Sequence, residues 1–291
     1  MSTPRSINLF LIDGTGNGRI KCTLPNWTGV TYLIPRTDLA ACKDRLELTQ
    51  TGIYLLLGKD DSTGNDSVYI GQARTRKNGK GVLGRIKEHI GEENLNYWTH
   101  AIVLITSNDS FGATEISYLE NLFYSWAISA GRFQVTNGNE PSPGNITEEK
   151  EAELLEFAEY SRLVIATLGY KLFDPIGQPH SKSSTENREP LLYLNLGDSS
   201  GIGRQTSDGF VVLAGSRLRS RVSKSCPVTA SKARVQHAAD IDSAMRLSTD
   251  VLFNSPSSAA AFIIGTSING RIAWKTVDGV PLKNLETRDL L

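Results

Sequence analysis

Apolar runs broken by polar turns lay out most of the chain. Ile7 to Ile12 reads as a strand. It is followed by a turn of Asp13, Gly14, Thr15, Gly16, Asn17 and Gly18, in which the glycines supply positive φ and the Asp and Asn cap their own backbone. Tyr32 to Ile34 is a second strand, broken by Pro35, and the two together predict a small β-rich N-terminal module over residues 1–46. Gly52 to Leu57 (GIYLLL) is continuously apolar, as expected of a strand buried on both faces. The polar turn over 59–66 and the run Ser67 to Gly71 (SVYIG) complete a hairpin. Residues 72–81, rich in Arg, Lys and Gly, read as a loop. Val82 to Ile90 has apolar residues at 82, 83, 86 and 90, a helical spacing, and Ala101 to Thr106 is a third strand. Ala113 to Ala130 predicts a helix with Ile116, Leu119, Phe123, Trp126, Ala127 and Ala130 on one face. After a loop over 137–145, Thr147 is expected to cap a helix running to about Leu168. Glu148, Glu149 and Glu151 fill its first turn, where the helix dipole favours negative charge.

Residues 177–190 have linker composition and mark a domain boundary. Beyond it, Phe210 to Ala214 and Arg271 to Lys275 read as strands. Ala230 to Leu247 and Ser257 to Ile264 read as helices, the second ending at Gly265. The expected class is α+β. The β-rich module at 1–46 would precede a domain at 47–176 with a small three-stranded antiparallel sheet flanked by helices. A second, mixed α/β domain would occupy 191–291.

Composition changes this picture little. A chain of 291 residues with 39% hydrophobic content can bury two modest cores. The formal net charge is zero, so only local charge can argue for a nucleic-acid partner. Cys22, Cys42 and Cys226 are an odd number with no Cys-x-x-Cys pair, which argues against a disulfide framework and fits a reducing cytoplasm. No apolar run approaches the roughly 20 residues of a membrane span, and the apolar stretch after Met1 is too short for a signal peptide. The expected location is cytoplasmic, with no membrane partner; the sequence sets no oligomeric state.

Chemistry enters at a few positions. Glu120 falls in the row of Ile116, Phe123 and Ala127, so it is either partly buried and in need of a cation, or at the rim with its carboxylate bent to water. Arg85 and His89, four apart on the 82–90 helix, share a face on which a guanidinium fork suits a phosphate; an exposed Arg beside a packed His is the plainer alternative. Tyr54 and Tyr69 lie on the two strands of one hairpin, as packing residues or with hydroxyls in one pocket. Arg74, Arg76, Lys77, Lys80, Arg85 and Lys87 form a stretch without an acidic residue. A second basic stretch holds Arg204, Arg217, Arg219, Arg221, Lys224, Lys232, Arg234 and Arg246 against Asp208, Asp240 and Asp242. Such stretches are either solvated surface or contacts for a polyanion. No Gly-x-Ser-x-Gly elbow, P-loop or His-Glu-x-x-His competes.

Gly52-Ile53-Tyr54 followed by Tyr69-Ile70-Gly71 resembles the signature of the GIY-YIG nucleases. The order that follows is similar too: hairpin, helix with Arg85 and His89, third strand, helix with Glu120. The resemblance covers about residues 50–140, and the long basic loop at 72–81 departs from it. It implies a metal-dependent endonuclease acting on DNA. A single Mg²⁺ or Mn²⁺ would sit on Glu120, Arg85 would contact the scissile phosphate, Tyr54 would take a proton from the attacking water, Tyr69 would orient water or phosphate, and His89 would assist. Gly71, Arg74 and Lys80 are further candidate substrate contacts, and either Asn137 or Asn139 fills the place of an Asn common downstream of the Glu. The alternative is a catalytically silent protein that binds DNA with the same basic cleft. The stretch 253–275 (FNSPSSAAAFIIGTSINGRIAWK), with Asn269-Gly270 and Trp274, resembles a bacterial domain of unassigned function often attached to such nucleases, which implies substrate recognition.

Overall fold

The computed structural model describes residues 4–75, 80–176 and 190–288. The chain is α+β and divides into two compact units, Pro4–Pro175 and a second beginning at Ile176. All but the last residue of the expected linker at 177–190 lies outside the described residues.

The first unit is built on one seven-stranded sheet. Its strands are β1 (Asn8–Leu11), β2 (Ile20–Thr23), β3 (Gly29–Pro35), β4 (Gly52–Lys59), β5 (Asp66–Ala73), β6 (Trp98–Thr106) and β7 (Gln134–Val135), in the spatial order β1-β2-β3-β6-β4-β5-β7. Only β7 runs parallel to its neighbour. The three expected strands are therefore the middle of a larger sheet, and the N-terminal strands extend it rather than forming a module of their own. The cause lies in β3: every residue from Gly29 to Pro35 is buried. Its side chains enter the two cores on either face of the sheet, which 46 residues alone cannot supply, and its free edge pairs with β6 from Gly29↔Thr106 to Pro35↔His100.

The pleat sorts the side chains into two cores. Ile53, Leu55, Leu57, Val68, Ile70 and Leu104 pack toward α2 (Ala113–Ala130) and α3 (Glu148–Thr167). Tyr32, Tyr54, Leu56 and Val103 pack toward α1 (Val82–Glu88) and the short 3₁₀ turns between β3 and β4, through Leu39, Cys42 and Leu48. The expected helix at 82–90 ends at Glu88 and continues as a 3₁₀ turn, His89–Gly91. Gly131, at φ +64°, closes α2, and Thr147 caps α3 as expected.

The second unit has a four-stranded antiparallel sheet of β8 (Leu192–Leu196), β9 (Ser199–Thr206), β10 (Gly209–Val212) and β11 (Val251–Phe253), in the order β11-β10-β9-β8. One face carries α5 (Pro256–Ile264), whose Ala259 to Ile264 are all buried. Trp274 is buried against Phe210, ring centroids 4.6 Å apart, and its indole N–H donates to the Pro256 carbonyl at 3.0 Å. Two expected elements differ. The helix expected over 230–247 is α4 (Val228–Gln236) alone: a 3₁₀ turn, Ala238–Asp240, follows it, and Asp242 then turns the chain by accepting from the Ala244 and Arg246 amides. The strand expected over 271–275 is instead the short helix α6 (Gly270–Ala273), capped by Asn269, with only Lys275 pairing to Tyr193. Among the described residues no helix is long and apolar enough to cross a membrane.

Trp274→Ala removes the largest side chain of this second core and is expected to cost about 3–5 kcal/mol. Urea unfolding should show a transition shifted to lower denaturant; an unchanged midpoint would show that Trp274 does not hold the unit together.

Candidate functional site

Tyr54 on β4 pairs with Gly71 on β5, and Leu56 pairs with Tyr69. Residues directly opposite share a face, so both phenols stand on the α1 side of the sheet. Tyr54 lies across Gly71: a β-carbon there would come within 2.4 Å of its ring and hydroxyl. Gly71 thus serves the site by leaving room for the phenol.

The start of α1 is tied down by the Val82 amide donating to the Gln50 carbonyl at 3.0 Å, and Val82, Leu83 and Ile86 are buried. This aims Arg85 and His89 at the two tyrosines. His89 is 1% exposed, and its Nε2 lies 2.7 Å from the Tyr54 hydroxyl. The imidazole centroid is 5.6 Å from the Tyr54 ring and 5.2 Å from the Tyr69 ring, and the two phenols are 6.2 Å apart. Nδ1 lies 2.9 Å from a Glu92 carboxylate oxygen, without the alignment of a hydrogen bond. A carboxylate this close favours the proton on Nδ1, which leaves Nε2 to accept from the Tyr54 hydroxyl.

Burial pushes the Tyr54 phenol well above its ordinary range; the Tyr69 charge adds to this, and the Arg85 guanidinium opposes it. Tyr69 is raised for the same first reason and opposed by the same guanidinium. Arg85 therefore stands beside both phenols, while its Nη1 pairs with Glu88 at 2.9 Å, half-exposed.

Glu120 arrives from the other face, on α2. Gln72, alternating with Gly71 and Ala73 along β5, points to that face and donates to the Glu120 carboxylate at 2.8 Å. The carboxylate is half-buried, and no cation pairs with it among the described residues. Burial raises its pKa, while the hydrogen bonds from Gln72 pull it down. Its negative charge is felt at both phenols, raising each. Four of the five expected residues are thus in one cluster, and the fifth acts on it electrostatically from across the sheet.

The remaining expected positions separate. The Asn137 side chain accepts from the Ile70 amide at 3.0 Å and donates to the Ile70 carbonyl at 2.7 Å, so both its groups are spent on the edge of β5. Asn139, Arg74 and Lys80 are exposed. Arg76 and Lys77 lie outside the described residues. Sequence reasoning passed over Gln72, Glu88 and Glu92. The signals were there: Gln72 alternates out of the Tyr69 face, and the two glutamates each stand three residues after Arg85 and His89.

Among the described residues no three of His, Cys, Asp and Glu gather as metal ligands. A half-buried carboxylate with no cationic partner does suit a hard divalent ion that keeps most of its water.

Residues 192–286 match a protein-family model described as a domain of unknown function (DUF4357), the stretch that forms the four-stranded unit. No curated protein matches the chain. No solved structure matches it either.

Two expectations follow. Gly71→Ala should destabilise the protein by about 1–3 kcal/mol, since a rigid ring rather than a flexible tip must give way; equal stability in denaturant would deny the close packing. A carboxylate whose pKa is raised on folding favours the native state most when it is protonated in both states. That contribution is lost as pH rises from its ordinary value of 4.5 through the raised one. Glu120→Gln should therefore gain thermal stability over the parent as pH rises across that window, and a difference that stays flat from acid to neutral pH would contradict the burial.

Proposed function

We propose that this chain is a metal-dependent endonuclease of the GIY-YIG type, hydrolysing DNA phosphodiester bonds at the edge of β5, with the phenol cluster on one face and Glu120 on the other. The observation that carries the reading is the phenol–imidazole pair, Tyr54 hydroxyl to His89 Nε2 at 2.7 Å. It is supported by Tyr69 and Arg85 beside it and by the Glu120 charge felt at both phenols. The 191–291 stretch would serve recognition of the substrate.

Arg85 would release Glu88 and take the scissile phosphate, a stronger acceptor for its fork. Tyr54 would receive the proton of the attacking water as its own proton passes to His89 Nε2. No free phenolate is then needed, so a phenol pKa raised by burial is no obstacle. The imidazolium so formed would be stabilised by Glu92, 2.9 Å from Nδ1. Tyr69 would orient the water or the phosphate. Glu120 would hold Mg²⁺ or Mn²⁺, which when bound supplies charge stabilisation to the leaving oxygen.

Plasmid nicking with and without EDTA tests this directly. The parent should nick only with the metal. Glu120→Gln should abolish nicking, and Arg85→Ala should reduce it by about 100-fold or more. Parental rates in either variant would remove that residue from the mechanism. A phenol held protonated above neutral pH also suits a silent DNA binder; retention of DNA without any nicking would establish that reading in place of the enzyme.

A further inference from the structure

The sheet of the second unit has two faces, and only one is occupied by α5. Along β9, Ser199, Gly201 and Gly203 are buried toward the helix, whereas Ser200, Ile202 and Arg204 alternate to the other face. Across that other face four residues stand in register: Asn195 pairs with Ser200, Ser200 with Arg217, and Arg217 with Arg246. All four are exposed.

The last pair is unusual. The flanking bonds are Leu247 amide to Ser216 carbonyl at 2.8 Å and Leu218 amide to Met245 carbonyl at 2.8 Å, so Arg217 and Arg246 occupy a non-hydrogen-bonded site of the ladder. That site brings facing side chains closest, with β-carbons about 4.5–5.5 Å apart. Two like charges directly opposite oppose folding. Neither arginine has a carboxylate partner among the described residues. The nearby acids are spent elsewhere. Asp242 holds the turn at the Ala244 and Arg246 amides, Asp240 lies against His237, and Asp250 accepts from the Ala214 amide. Arg204 is on the same face, and its Nε is buried without a hydrogen-bond partner. The following segment adds Arg219, Arg221 and Lys224, also exposed and without an ion pair among the described residues.

From this arrangement we propose that the sheet face carrying Arg204, Arg217 and Arg246 binds the phosphate backbone of DNA, the arginine pair gripping one or two adjacent phosphates. A row of exposed guanidinium groups, Arg246 and Arg217, continued by the hydroxyl of Ser200 on β9 and the amide of Asn195 on β8, presents donors in one line, which suits an extended polyanion better than an isolated anion. The inference takes DNA as the polyanion from the proposed function; the geometry of the row is independent of it.

The test uses the full chain carrying Glu120→Gln, so that binding is read without cleavage. Affinity for a duplex oligonucleotide is measured by fluorescence anisotropy over a range of salt. Adding R217A and R246A together should weaken binding at least about tenfold and make the slope of log affinity against log salt shallower by about two. R217K with R246K should keep most of the slope. Thermal stability of the double alanine variant should equal or exceed the parent, because a repulsion has been removed; a loss of stability would mean that the arginines are structural and overturn the proposal. An unchanged salt slope, or full displacement of the DNA by inorganic phosphate at equal ionic strength, would overturn it too. Failure here leaves plasmid nicking by the parent untouched, so the two readings fall separately.

Discussion

The hydroxyl of a tyrosine buried inside a sheet must find a polar partner, and the arrangement of the first unit follows from that need. Tyr54 sits in the middle of an otherwise apolar strand with a neighbour on either side. Its ring fits because Gly71 opposite has no side chain, and its oxygen is satisfied because α1 delivers His89 to within 2.7 Å. His89 is itself buried, and Glu92 stands at its far nitrogen. Strand register, glycine, helix placement and acidic neighbour are thus parts of one connected arrangement. Slipping β4 against β5 by a single residue would turn Tyr54 to the opposite core and part it from Tyr69.

Charge is arranged across the sheet as well as upon it. Arg85 and Glu120 approach the phenols from opposite faces and pull their pKa values in opposite directions. Gln72 is the hinge of this arrangement: it is next to Gly71 in sequence, yet it holds the acidic side chain of α2 while its neighbour accommodates the phenol. Alternation along one strand lets three consecutive residues, Gly71 to Ala73, serve two cores and two charges.

Much of this was legible in the sequence because it rests on local rules. The apolar run at 52–57, the helical stripe of 113–130 and the cap at Thr147 each fix an element by spacing or by one hydrogen bond. Tyr54 follows from the first of these, Tyr69 from the second strand of its hairpin and Arg85 from the helical spacing after Val82, while His89 falls just past the end of that helix. What failed to show was long-range. Nothing near Gly29 to Pro35 states that its partner is β6, some seventy residues on, so the N-terminal strands read as a separate module. In the second unit, the stretch after Gln236 is held in turns, one of them by Asp242 side-chain bonds to the backbone, a competition that propensity alone cannot weigh. That Asn137 rather than Asn139 meets Ile70 is likewise a contact made by folding and not by spacing.

That contact has a further meaning. Beyond β7 the outer margin of β5 presents main-chain groups able to recruit another extended chain. A single amide side chain, one acceptor and one donor at the right separation, imitates a strand for the length of one residue and shuts that margin. One asparagine thereby closes a stretch of sheet edge without an additional strand.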